Sequence, residues 1–224
     1  MSNGWIFSLQ TALIGGCLLF ALRLGKEALS AFLALLVVLM NLFVTKQIDL
    51  FTLSVTASDS ITVGYLLGLN LFQESFGRSE TKKCIFLSFF IASVFCLLSF
   101  VHLIYTPNAF DYTHESFKVL LLPGFRIFSA SLFTFFIVQF FDLRLFAFFR
   151  RKTEGKYLPL RIALSLILSE LIDTALFTTL GLLGSVHSPL QVALLSFLIK
   201  LGSILLFIPF SMIAKKMIRH AIPV

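Results

Sequence analysis

The chain is 224 residues long, 58% hydrophobic and only 13% charged, with 28 phenylalanines and a formal net charge of +7. A mean hydropathy of +0.98 excludes a soluble globular domain, and the long unbroken apolar runs exclude a membrane barrel, whose strands alternate over about ten residues. The expected class is all-α: a multi-pass transmembrane helical bundle of six to seven spans, with residues 1–224 forming a single integral membrane domain.

Candidate spans run over 5–22, 28–44, 59–74, 84–105, 122–148, 160–184 and 189–213. Span 5–22 has no Lys or Arg before it and is followed by Arg23 and Lys26. That flank order is wrong for a cleavable signal peptide and fits an anchor that enters with its N-terminus outside. Span 59–74 carries Asp59, Thr62, Asn70 and Glu74 roughly along one face, which makes it a poor isolated span and a good cavity wall. Gly64 and Gly68 in the same segment allow a second helix to approach closely. The polar stretch at 106–116 has turn chemistry and few basic residues, as an external loop would.

Basic residues recur at every second boundary: Arg23 and Lys26, then Arg78, Lys82 and Lys83, then a run from 144 to 161, then Lys215, Lys216 and Arg219. The positive-inside rule therefore places the N-terminus outside and the C-terminus in the cytoplasm. Scattered over separate loops, these charges are topology signals and lipid-headgroup contacts, not a nucleic-acid surface. Cys17, Cys84 and Cys96 fall inside apolar runs without paired spacing, and the four histidines make no ligand pattern. No nucleophile elbow, Walker loop or dinucleotide fingerprint is present. An enzyme is therefore not expected, nor are catalytic residues, a metal or a cofactor.

The last two spans carry charge where it is least welcome. Glu170, Asp173 and Lys200 lie mid-span, where each costs about 2.5 to 3.5 kcal/mol on insertion scales. His187 and Ser188 are the clear break between these spans, so they form an antiparallel hairpin, and Asp173 and Lys200 are equally far from its turn. They should sit at one depth and pair. Glu170 is three residues from Asp173 on the same face, which continues to Phe177; the facing helix aligns Ser196, Lys200, Ser203 and Phe207. A polar site near the bilayer midplane follows, with carboxylate acceptors, an ammonium donor and aromatic walls. The plainer alternative is a salt bridge that only fixes helix register.

Five segments, in order, resemble a known family: NLFVTKQ at 41–47, LNLFQESFG at 69–77, RIFSAS at 126–131 continuing to Gln139 and Asp142, IDTALF at 172–177, and KLGSILLFIP at 200–209. They are similar to the bacterial queuosine precursor transporters, also called the putative vitamin uptake transporter family. The resemblance covers about 41–213 and leaves span 5–22 outside it. It implies a multi-pass protein of the bacterial inner membrane that imports a 7-deazaguanine-type base, such as queuine or its pre-queuosine precursors, for tRNA modification. Two positions depart from the family pattern: Asn70 stands where Asp is common, and Glu170 where a neutral amide is common.

Such a base presents N1–H and an exocyclic amine as adjacent donors and O6 as an acceptor. Glu170 or Asp173 would accept the first pair, and Lys200, Arg126 or Gln139 would donate to O6. Phe177 or Phe207 would stack on the ring. Asn70 and Glu74 join this substrate-binding set from span 59–74, Glu74 as a gate or a solvated helix end, and Asp142 is expected to pair with Arg144 or a cytoplasmic neighbour. The implied partners are a small nucleobase-like molecule and the lipid bilayer, with a homodimer admissible and no nucleic acid. Two rival readings are a substrate-capturing subunit of a vitamin importer energised by a separate ATPase, and a membrane scaffold whose buried charges are structural.

Overall fold

The computed structural model describes the backbone of residues 2–50, 53–121, 125–182 and 189–221. Helix α1 spans Asn3–Leu24 and α2 spans Lys26–Phe43; a two-stranded antiparallel hairpin follows, β1 at Gln47–Leu50 and β2 at Leu53–Thr56. Then come α3 (Asp59–Ile104), the short α4 (His114–Leu121), α5 (Phe125–Lys152), α6 (Leu158–Phe177) continued by a π turn at Thr178–Leu182, and α7 (Pro189–Ala221). The bundle is all-α apart from the hairpin, and five described helices are long and apolar enough to cross a membrane.

Two junctions that read as loops are single glycines. Gly25, at φ +108°, is the whole connection between α1 and α2. Gly77, at φ +83° and ψ +167°, interrupts α3, so the expected spans 59–74 and 84–105 are two arms of one 46-residue element. At 1.5 Å per residue that element measures about 69 Å, more than twice the roughly 30 Å of hydrocarbon, so it supplies two crossings. Both glycines occupy the left-handed region where L residues are strained. α6 starts at a Pro in its first turn, whose missing N–H costs nothing there.

The first arm of α3 is the centre of the bundle. Val63, Leu67 and Leu71 are completely buried, and so are Ile61, Tyr65, Leu66, Leu69 and Phe72 to within 3%; a helix apolar on all sides belongs inside. Ile14 and Leu18 of α1 and Leu33 of α2 crowd onto Gly64 and Gly68, where an added Cβ would meet their side-chain atoms at 2.5 to 2.6 Å, with the Phe207 ring of α7 at 3.2 Å from the Gly64 position. Close approach at those glycines is therefore real, and it gathers three helices round α3. On the outside, Phe20, Phe90, Leu98, Leu194 and Leu205 are exposed apolar side chains, the surface a lipid-facing helix needs.

Gly25, Gly77, the Thr153–Lys156 turn and the start of α6 share one end of the bundle, where Lys26 donates to Glu80 at 3.1 Å. This is the basic end. At the other end the β hairpin packs Leu50 and Val55 against Phe7, with Ile48 and Ile199 alongside. Asn3 and Gln10 of α1 tie it down through the carbonyls of Asp49 and Ala57, each at 2.9 Å. In the loop before α4, Asp111 accepts from Thr113 and from the His114 N–H, and those bonds hold its carboxyl below the usual range.

Candidate functional site

A cavity of about 440 Å³ opens at the hairpin end, between the last turn of α2, the hairpin, the first two turns of α3, the first half of α5, the end of α6 and the start of α7. This is the size of a small-ligand site. Its carboxylates are Asp59 and Asp173, its ammonium is Lys200, and its amides include Asn41 and Gln139. Phe135 and Phe177 supply aromatic wall, and Phe135 is backed by the Tyr65 ring at 5.3 Å between centroids.

Lys200 organises the charges. It is 5% exposed, and its Nζ lies 2.5 Å from Asp173 Oδ2 and 2.8 Å from Glu170 Oε2. The depth match between Asp173 and Lys200 is thus a contact. Asp59, buried in the first turn of α3, has the same Lys200 and Asp173 as charged neighbours. Three carboxylates around one ammonium leave negative charge that a ligand with hydrogen-bond donors would satisfy.

The sequence-predicted residues divide between this cavity and its surroundings. Asp173, Lys200, Gln139 and Phe177 line it. Glu170 does not: it is fully buried, with Lys200 between it and the cavity charge, so it positions the lysine. Phe207 packs on Gly64 and beside Phe210, away from the cavity. The Arg126 side chain, like the His187–Ser188 turn, lies outside the described residues.

Asn70 and Glu74 continue the polar face of α3 but leave the cavity behind, because the lining stops at Leu66, one turn before Asn70 and two before Glu74. Asn70 is buried beside Asp142. Glu74 is neither free nor solvated: Arg161 of α6 clamps it with two hydrogen bonds of 3.1 and 2.9 Å, and Arg150 approaches at 3.5 Å. Asp142 pairs with neither Arg144 nor another cation among the described residues. It accepts from Ser165 at 2.6 Å and Ser169 at 2.9 Å instead, because its side chain points into the bundle at α6.

Several lining residues were not marked by the sequence reading. Asn41 is held by its own helix, donating to the Val37 carbonyl at 2.8 Å; Gln47, Val55 and Thr56 come from the hairpin and Thr178 from the π turn. A π turn shifts side chains off the helical register and recurs at functional sites. The available signals were the alternation of Ile48, Leu50, Leu53 and Val55, and the i, i+4 series Arg161, Ser165, Ser169, Asp173 on α6.

A family model described as "Putative vitamin uptake transporter" matches residues 56–214. The chain is 29% identical to the "Probable queuosine precursor transporter" of Bacillus subtilis (strain 168) over 209 residues, covering 90% of this chain and 89% of that protein. That match reaches beyond the family model into the segment of α1 and α2. No solved structure matches the chain at a significant level. With two thirds of its length under one family model and a transporter as relative, this polytopic helical bundle belongs to the putative vitamin uptake transporter family and is a membrane transporter, not an enzyme.

Proposed function

We propose that this transporter imports a queuosine precursor, a 7-deazaguanine-type base such as queuine, across the bacterial inner membrane. The observation that carries this is the placement of Asp173 and Lys200 beside Gln139 in one aromatic-walled cavity. The resemblance to the Bacillus subtilis relative supports it. Each carboxylate oxygen has two lone pairs, so Asp173 can hold Lys200 and still accept N1–H and the exocyclic amine of a guanine-type edge. Gln139 lines the cavity, and its buried Oε1 has no hydrogen-bond partner among the described residues. Its NH₂ would donate to O6. Phe177 offers the ring a face to stack on.

Calorimetry on purified protein tests this reading. Queuine should bind and its adenine-type 7-deaza counterpart should not, because adenine presents an acceptor where guanine presents N1–H and lacks the 2-amino group. Gln139→Leu should weaken queuine binding by about 0.5 to 1.5 kcal/mol, or two- to tenfold, at unchanged melting temperature. Equal binding of both base types would sink the reading.

Orientation belongs to the same proposal. The cavity opens at the end opposite the basic turns, so a cytoplasmic basic end makes this arrangement outward-facing, ready to load. Tags after Arg151 and at the C-terminus should be protected in intact cells, and one near Asp111 should be labelled. The reverse pattern would turn the protein over and with it the direction of loading.

A further inference from the structure

We propose that Asp142 is the proton-carrying carboxylate that couples transport to a proton gradient, an inference that goes beyond the substrate reading and does not depend on it. Asp142 is completely buried in α5, and no Lys, Arg or His pairs with it among the described residues. A carboxylate left ionised in such a place is strongly destabilised, and a bound proton is the simplest way to neutralise it. The two carboxyl oxygens differ: one is filled by donors, which favour the ionised form, and the other is left bare for a proton. Ser165 and Ser169 both donate to Oδ1, while Oδ2 has no hydrogen-bond partner among the described residues. A carboxylic acid has one carbonyl oxygen that accepts and one oxygen that carries the proton. The Asn70 amide adjoins Asp142 with both polar atoms unpartnered among the described residues; its NH₂ can donate to the ionised carboxylate, and its oxygen can accept from the O–H once a proton is bound.

Position makes this proton consequential. On α5, Asp142 is one turn from Gln139, which lines the cavity; on α6, Ser169 is one turn from Asp173, which also lines it. In the other direction, Asn70 is one turn from Glu74 and Ser165 one turn from Arg161, the two halves of the clamp at the basic end. Asp142 therefore stands between the cavity and the clamp, touching the residues that lead to each. Loss of its proton leaves a buried negative charge between the two, felt directly by Ser165, Ser169 and Asn70.

The other ionisable groups facing this position do not offer the same chemistry. From α3 come Tyr65 and Cys84, both neutral at physiological pH, and Glu74, paired to Arg161. From α6 come Arg161 and Glu170, the latter paired to Lys200. Arg144 and Arg150 belong to α5 itself, and Arg150 is turned to Glu74. Asp142 alone among these carboxylates has hydroxyl partners and no cation.

Infrared difference spectroscopy on the purified protein in nanodiscs, with no substrate present, reads the proton directly. Wild type should show a protonated carboxyl band at neutral pH that disappears in Asp142→Asn, an isosteric and neutral change. In the Ser165→Ala, Ser169→Ala double variant the band should move to higher frequency, since its carbonyl loses two donors. A second arm uses proteoliposomes and labelled queuine: Asp142→Asn should keep counterflow exchange while losing at least tenfold of the accumulation driven by an inward proton gradient. A band unchanged in Asp142→Asn overturns the proposal, as does accumulation that follows a sodium gradient and ignores pH. If wild type exchanges no queuine, the substrate reading falls and the infrared band decides for Asp142 by itself.

Discussion

Lys200→Met is expected to abolish uptake and to lower stability by about 3 to 5 kcal/mol, the scale for breaking a buried ion pair from one side. The reason is the number of groups that depend on this one ammonium: Asp173 at 2.5 Å, Glu170 at 2.8 Å and, more distantly, Asp59. Neutralising Asp173 together with Lys200 should recover only part of the loss, because Glu170 is left buried with no cation to pair with. Adding Glu170→Gln should recover most of the rest while uptake stays absent. Melting temperatures of the single, double and triple variants in detergent, with labelled-base uptake alongside, check this order. Losses that simply add across the series would mean that the three side chains do not act as one group.

The clamp at the basic end should fail asymmetrically. Arg161 is wholly buried, and apart from Glu74 its guanidinium has the Gly155 carbonyl at 3.2 Å and the Phe146 ring 5.3 Å away. Glu74→Gln therefore strands a charge in the interior, at about 3 to 5 kcal/mol. Arg161→Met keeps most of the volume and leaves Glu74 with Arg150 at 3.5 Å and a side chain that is 13% exposed, so it should cost roughly half as much. Arg161→Lys should not rescue, since a single ammonium cannot reproduce the two-pronged contact. Thermal denaturation of the three variants is the measurement, and an Arg161→Met protein less stable than Glu74→Gln would contradict the assignment.

Spans were legible in this chain because length and apolar continuity are local properties, and each expected span corresponds to a helix or to one arm of α3. The Asp173–Lys200 contact was legible for a different reason: equal distance from a turn is equal depth in a hairpin, whatever the side-chain details. Glu170 shows where such reasoning stops. Residues three apart differ by about 60° around a helix, enough to put Asp173 on the cavity and Glu170 behind the lysine. Asn70 and Glu74 share a face with Asp59 and Thr62, but a face says nothing about how far along it the cavity extends. The hairpin was missed because Gln47–Leu50 and Leu53–Thr56 are too short to register beside spans of twenty residues. The clamp needed three helices, and no periodicity in one segment reveals a partner 87 residues away.

The small hairpin also says where water begins. Two strands bonded to each other have outer edges whose N–H and C=O groups need partners, and lipid tails offer none. Those edges must meet water or polar protein, so the ribbon lies at a membrane surface and not in the hydrocarbon. From Asp59 beside it to Gly77 at the opposite end is 18 residues of helix, about 27 Å, close to the roughly 30 Å thickness of the apolar layer. The first arm of α3 is thus a ruler laid across the bilayer, with its zero at the cavity mouth: the mouth is level with the headgroups, and Glu74 lies near the opposite boundary.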